Sequence, residues 1–203
     1  MFRIITAVLG LVWAIAGELP ADSVLTAQET GVLERIVITP IQWWQHLSYS
    51  TSLLHCQFEP SCSSYMAQAI SQRGIVPGLF IGADRIVRCN PAALHYHLQT
   101  PQPTFTVDGR MIDPVPHPQP FSLESNSALA AGFSLVPGLG RVYAGHTWDG
   151  IFSFLTVSSL AILAHNAHSQ GAVTASVTLG TGALIFWLGD IYGAVRTAEI
   201  SNF

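Results

Sequence analysis

Residues 150–189 read GIFSFLTVSSLAILAHNAHSQGAVTASVTLGTGALIFWLG, and their reading decides the fold. No formal charge occurs between Asp149 and Asp190. Two apolar segments, 150–164 and 172–189, flank a polar turn, His165 to Gly171. A bilayer span needs roughly 20 mostly apolar residues. In lipid every backbone polar group must be satisfied within the structure, so such segments are helices. The pattern predicts a transmembrane helical hairpin. Each segment is slightly short, but the histidines can extend the first, and Trp148 and Trp187 suit a membrane interface. Ala175, Ser176, Gly180 and Gly182 on the second permit close helix contact. Asp149 and Asp190 flank the hairpin on one side, where they read as solvated anchors able to pair with Arg141 or Arg196.

Immediately before the hairpin stands Leu135 to Gly145, LVPGLGRVYAG. It resembles the Pro-Gly-Leu-Gly-x-x-Tyr-x-Gly entry of small bacterial two-helix membrane domains. Its glycines permit a tight bend. No Lys-Ser/Thr follows, so it is not a phosphate loop.

Composition agrees with a membrane protein. Of 203 residues, 49% are hydrophobic and 10% charged, against about a quarter charged in a soluble domain. All eight cations are arginines, and the net charge is −4. Nucleic acid binding needs a basic footprint and is excluded on that ground. At the N-terminus, Arg3 precedes an apolar run, Ile4 to Trp13, and a small-x-small motif, Ala14-Ile15-Ala16. Acidic residues follow at Glu18, Asp22, Glu29 and Glu34. This order predicts an export signal over residues 1–16 and an exported, periplasmic middle domain.

Residues 30–91 read as three short helices. Val32, Ile36 and Trp43 suggest apolar faces, with Pro40 breaking the first run. Pro60-Ser61-Cys62 opens a helix, Ser63 to Arg73, that Gly74 stops. Pro77 starts another, running to about Arg88. On it Leu79, Ile81 and Ile86 are candidates for burial, and Asp84 and Arg88 for an exposed i,i+4 pair. So small a core needs a staple or a second surface.

The three cysteines, Cys56, Cys62 and Cys89, leave three chemistries open. In an oxidising compartment a structural disulfide is the default. Antiparallel helix ends favour Cys62–Cys89 over the short loop Cys56–Cys62. A zinc site completed by His55, His95 or His97 lacks the usual paired chelating turns. A nucleophilic Cys62 at a helix N-terminus lacks a histidine-and-acid pattern beside it. No catalytic, cofactor-binding or metal residue is assigned.

The linked pattern Cys56-x-Phe58-x-Pro60-Ser61-Cys62-Ser63-x-Tyr65, then Gly74, Arg85-x-x-Arg88-Cys89-x-Pro91 and Asp113-Pro114-Val115-Pro116, resembles the membrane protein insertion efficiency factor (YidD-like) family. Trp44-Gln45 falls where that family has an aromatic-Gln pair. The similarity covers about residues 35–116. Four features depart from it: Ser48-Tyr49-Ser50 replaces an Ile-Ser-Pro, Asn90 replaces a His, Ala92 to Ile112 is inserted, and the chain has an export pattern and few cations where the family is usually cytosolic-facing and basic. The resemblance implies a small, non-catalytic, membrane-associated accessory factor working with insertase or translocon components.

Within the insertion, Thr104 to Ile112 places β-formers around Asp108-Gly109 and predicts a short hairpin. The expected fold is all-α: a three-helix domain over residues 30–116 with that hairpin, a linker over 117–127, and a two-helix transmembrane domain over 128–203. The expected function is an accessory factor in membrane-protein insertion or envelope biogenesis, contacting membrane lipids. The competing function is an envelope scaffold protein of unrelated role.

Overall fold

The computed structural model describes residues 31–51, 56–100, 102–116 and 125–200, so the N-terminal export motif and His55 lie outside the described residues. The chain is mostly helical. Helix α1 spans Val32–Thr51, strand β1 Phe58–Glu59, α2 Cys62–Arg73, α3 Ile75–Arg88 and α4 Ala93–Leu98. Strand β2, Met111–Ile112, is followed by α5, Ser125–Phe133, α6, Leu139–Tyr143, α7, Thr147–Ser169, and α8, Val173–Ile200.

Local sequence explains most boundaries. Ser61 caps α2, its Oγ accepting from the Ser64 amide. Gly74 ends α2 with φ 83° and donates its N–H to the Ile70 carbonyl. Pro40 does not break α1, contrary to expectation. Pro40 and Ile36, whose carbonyl it leaves without a helical donor, both lie on the exposed side of α1. Val32, Ile36 and Trp43 are exposed, whereas Ile38 is buried beside Ala67 and Ile70, with Val37 and Ile41 packed against them. On α3, Ile81 and Val87 are buried, whereas Ile86 is exposed.

The insertion adds α4 and a tight turn at Asp108-Gly109, closed by a single antiparallel bridge between Phe105 and Met111. Its far side becomes β2, which pairs in parallel with β1 through Phe58↔Met111 and Glu59↔Ile112. The insertion therefore ties itself to the cysteine block.

Helices α7 and α8 have 23 and 28 residues and are long and apolar enough to cross a membrane. Both exceed the expected segments. The histidine-rich turn is helical to Ser169, and the chain reverses at Gln170–Ala172, with Gly171 at φ 75°. The last third of α8 is buried, from Gly189 and Asp190 to Ala198. It packs against α3, α5 and α6. Tyr192 of α8 packs on a core of Tyr65, Ala69, Ile81 and Val115, and Ala194 and Ala198 pack on Ala130 and Ala144. The small helical body and the base of the hairpin thus share one buried interface.

Candidate functional site

Two neighbouring constellations hold most of the chemistry-bearing side chains. In the first, Cys56 precedes β1, Cys62 opens α2 and Cys89 caps the end of α3. The Sγ atoms of Cys56 and Cys62 lie 3.4 Å apart, and all three sulfurs lie within 4.8 Å of one another. All three are free thiols. The antiparallel contact expected between Cys62 and Cys89 is a three-way contact, because β1 carries Cys56 alongside. Phe58, Ala93 and Met111 back the cluster. Gln57 Nε2 approaches Cys89 Sγ at 3.8 Å and donates to the Asn90 carbonyl at 3.0 Å. Contacts from Cys62 and Cys89 hold the Cys56 thiol well below the ordinary range, while the contact with Cys56 pushes Cys62 up. His95 Nε2 meets Gln99 and His97 Nε2 meets the Thr104 carbonyl, each at 3.0 Å, so neither joins the sulfurs.

The second constellation is a buried chain of ion pairs. Arg85 is fully buried. Its guanidinium lies 3.7 Å from the Phe58 ring centroid and 4.8 Å from that of Tyr65, donates to the Pro60 carbonyl at 3.3 Å, and pairs with Asp113. Arg88 bridges Asp113 at 2.7 Å and Asp84 at 3.0 Å. The other oxygen of Asp84 accepts from Arg141 at 2.7 Å, and Arg141 reaches Asp190 at 2.7 Å. Asp190 in turn accepts from the Gly138 amide at 2.8 Å. Arg196 lies 3.9 Å from Asp113.

The sequence led to a different expectation for three of these acids. Asp84 is 1% exposed, so the expected exposed pair with Arg88 is an internal one. Asp149 and Asp190, expected as solvated anchors, are 1% and 0% exposed. The reason is that the base of the hairpin packs on α3 and is not in water. Burial alone would raise the pKa of Asp84, but Arg88 and Arg141 outweigh it and lower it to about 2. Burial likewise opposes ionisation of Asp113, and Arg88 and Arg85 overcome it and lower its pKa. Arg141 is held protonated against its burial by Asp84 and Asp190.

Close approach makes this possible. A Cβ on Gly193 would overlap the Arg141 guanidinium and the Asp84 carboxylate, and one on Gly189 would meet Ala83 and the Phe80 carbonyl. Gly138, at φ 84°, brings its backbone against Gly150 and offers its amide to Asp190. Beside the chain, buried Asn90 donates to Asp149 at 2.5 Å and to the Val87 carbonyl at 3.1 Å. His146 meets the other Asp149 oxygen at 3.0 Å and stacks on Tyr96 at 4.0 Å. A cleft of about 670 Å³ opens there, lined by Asp84, Arg88, Asp113, His146, Asp149 and Arg196 beside apolar residues such as Phe58, Ala144 and Ile200.

The other motif residues have separate roles. Gln45 donates to Ser63 at 3.2 Å and to Ser64 at 3.0 Å, fixing α1 on the start of α2. Tyr65 is core. Pro91 and Pro114 are exposed and belong to neither constellation. The ion pairs run from the body across the interface to Arg141 and Asp190, so this arrangement joins the body to the base of the hairpin. The pair of Arg141 with Asp190 is the one the sequence allowed, but buried, whereas the contact of Asn90 with Asp149 was not anticipated. The small residues Gly189 and Gly193, one turn apart in α8, were the available signal of that burial.

A family model, YidD, described as "Putative membrane protein insertion efficiency factor", matches residues 33–97. Curated proteins carrying the same description match over similar lengths. One from Thermotoga neapolitana is 39% identical over 59 residues, covering 29% of this chain and 75% of its own. One from Amoebophilus asiaticus is 43% identical over 61 residues, covering 30% of this chain and 83% of its own. One from Thermosipho melanesiensis is 34% identical over 83 residues, covering 40% of this chain and its entire own length. No solved structure matches. The family model ends before α5 to α8, so the ion chain runs from matched residues into a part of the protein the model does not cover.

Proposed function

The chain belongs to the membrane protein insertion efficiency factor (YidD) family, and on that premise we propose that it is a non-catalytic accessory factor in membrane-protein insertion, anchored by its own helical hairpin. One observation carries the reading. The motif arginines Arg85 and Arg88 are engaged, through Asp113 and Asp84, with Arg141 and Asp190 of the hairpin region. Charges so engaged serve architecture; they hold the family body at the membrane without a separate receptor. We place the body, residues 30–116, on the exported face, following the Arg3, apolar run and acidic order of the N-terminus. Its partners are membrane lipids around the hairpin and insertase or translocon subunits beside the body.

The test is co-purification from gently solubilised membranes, joined to an insertion assay of a model membrane protein in cells lacking this chain. Recovery of insertase or translocon subunits, with slowed insertion that the intact chain restores, is the expected result. An intact, well-solubilised preparation that brings down neither, in cells whose insertion is normal, overturns the proposal in favour of an envelope scaffold.

A further inference from the structure

We propose that Cys56, Cys62 and Cys89 form a three-thiolate site for one soft divalent cation of the Zn²⁺ class, which staples β1, α2 and α3 together. The geometry is that of a chelate. With Zn–S near 2.3 Å, two sulfurs of a tetrahedral site lie ~3.8 Å apart. Here the Cys56–Cys62 separation is 3.4 Å, and every sulfur pair falls within 4.8 Å. Small rotamer adjustments of the three side chains bring them to bonding positions. A disulfide uses only two sulfurs, and the convergence of a third from a separate element is what a metal site requires.

A positive charge stands against the segment between Cys56 and Cys62. Arg85 is the arginine nearest that segment in contacts: its guanidinium stacks on Phe58 and reaches the Pro60 carbonyl, both between Cys56 and Cys62 in the chain. All three cysteines are partly exposed, so a fourth position remains open to water. The cation would close the thin core where a body this small otherwise lacks a staple.

Native mass spectrometry of the full-length protein, solubilised from membranes without chelator, reads the site directly. One Zn²⁺ per chain is expected. Stripped and reduced protein should then take up one equivalent of Co²⁺ with a thiolate-to-cobalt charge-transfer band, and Cys89→Ser should weaken that uptake by on the order of tenfold or more. The titration of unsubstituted protein keeps the test independent of whether Cys89→Ser folds. A metal-free chain lighter by two hydrogen atoms, and so disulfide-bonded, overturns the proposal. So does a reduced chain with no stoichiometric Co²⁺ band.

Discussion

At the scale of single residues, Asp84 is the pivot, because one carboxylate serves Arg88 on its own helix and Arg141 across the interface. Breaking a buried pair by deleting one partner costs about 3–5 kcal/mol, since the remaining charge stays buried without its counter-ion. Asp84→Asn should therefore destabilise the solubilised protein at neutral pH by about that amount, read as a fall in the thermal midpoint. The pH dependence has a definite sign. The folded pKa of Asp84, about 2, lies below the ~3.9 of an unfolded aspartate. The stabilisation is complete above the unfolded value and is lost as pH falls through the folded one. Thermal midpoints of the unsubstituted protein should hold from pH 7 to about 5 and drop between about 4 and 2. Asp113, also lowered, adds to the same drop. The Asp84→Asn difference should shrink across that window, and a constant difference down to pH 2 counts against this role for Asp84.

At the scale of elements, the contact of α3 with α8 depends on residues that have almost no side chain. Gly193 leaves room for the Arg141–Asp84 pair, and Gly189 lets α8 approach the Phe80–Asp84 turn of α3. Gly193→Leu should keep both helices intact while separating the body from the hairpin. A protease site introduced within residues 117–124 makes this measurable. After cleavage the unsubstituted halves should stay together on a sizing column in mild detergent, and the Gly193→Leu halves should part; co-elution of both would show that the apolar contacts suffice. The same contact explains what sequence could and could not reveal. The helix opened by Pro60-Ser61-Cys62, its stop at Gly74 and the two long apolar helices were legible, because each rests on local chemistry. The motif arginines were legible as a pattern. The Asp84–Arg88 pair was legible too, but its burial was not, since an i,i+4 pair looks the same on a wet face and on a buried one. Asn90 read only as a departure from the family, whereas its bond to Asp149 ties it to the appended hairpin. Pro40 misled because a proline weakens a helix without having to end it, and here the carbonyl it frees, that of Ile36, lies on the exposed side.

At the scale of the whole molecule, the ion chain sets the topology. It binds Arg141 before α7 and Asp190 in the last third of α8, so both ends of the hairpin lie with the body. In the proposed membrane-spanning arrangement this puts the body on one side and the reversal at Gln170–Ala172 on the other. Two signals compete over which side is which. The positive-inside rule draws Arg141 and Arg196 to the cytoplasm, as the reversal and its flanking His165 and His168 carry no arginine. The proposed export signal, Arg3, the apolar run and the acidic residues after it, argues for the body facing outward. Two arginines make a shallow bias, and the three-part export pattern is the stronger signal of the two. Protease added to right-side-out membrane vesicles should therefore digest the body, at exposed points such as the Val107 turn, and spare a tag placed after Gln170. Digestion of the tag with protection of the body would reverse the orientation and place the body beside the cytoplasmic ends of the insertase. Digestion of both from one side would break the hairpin itself, because a joint that holds α7 and α8 by their bases allows the reversal only the opposite face.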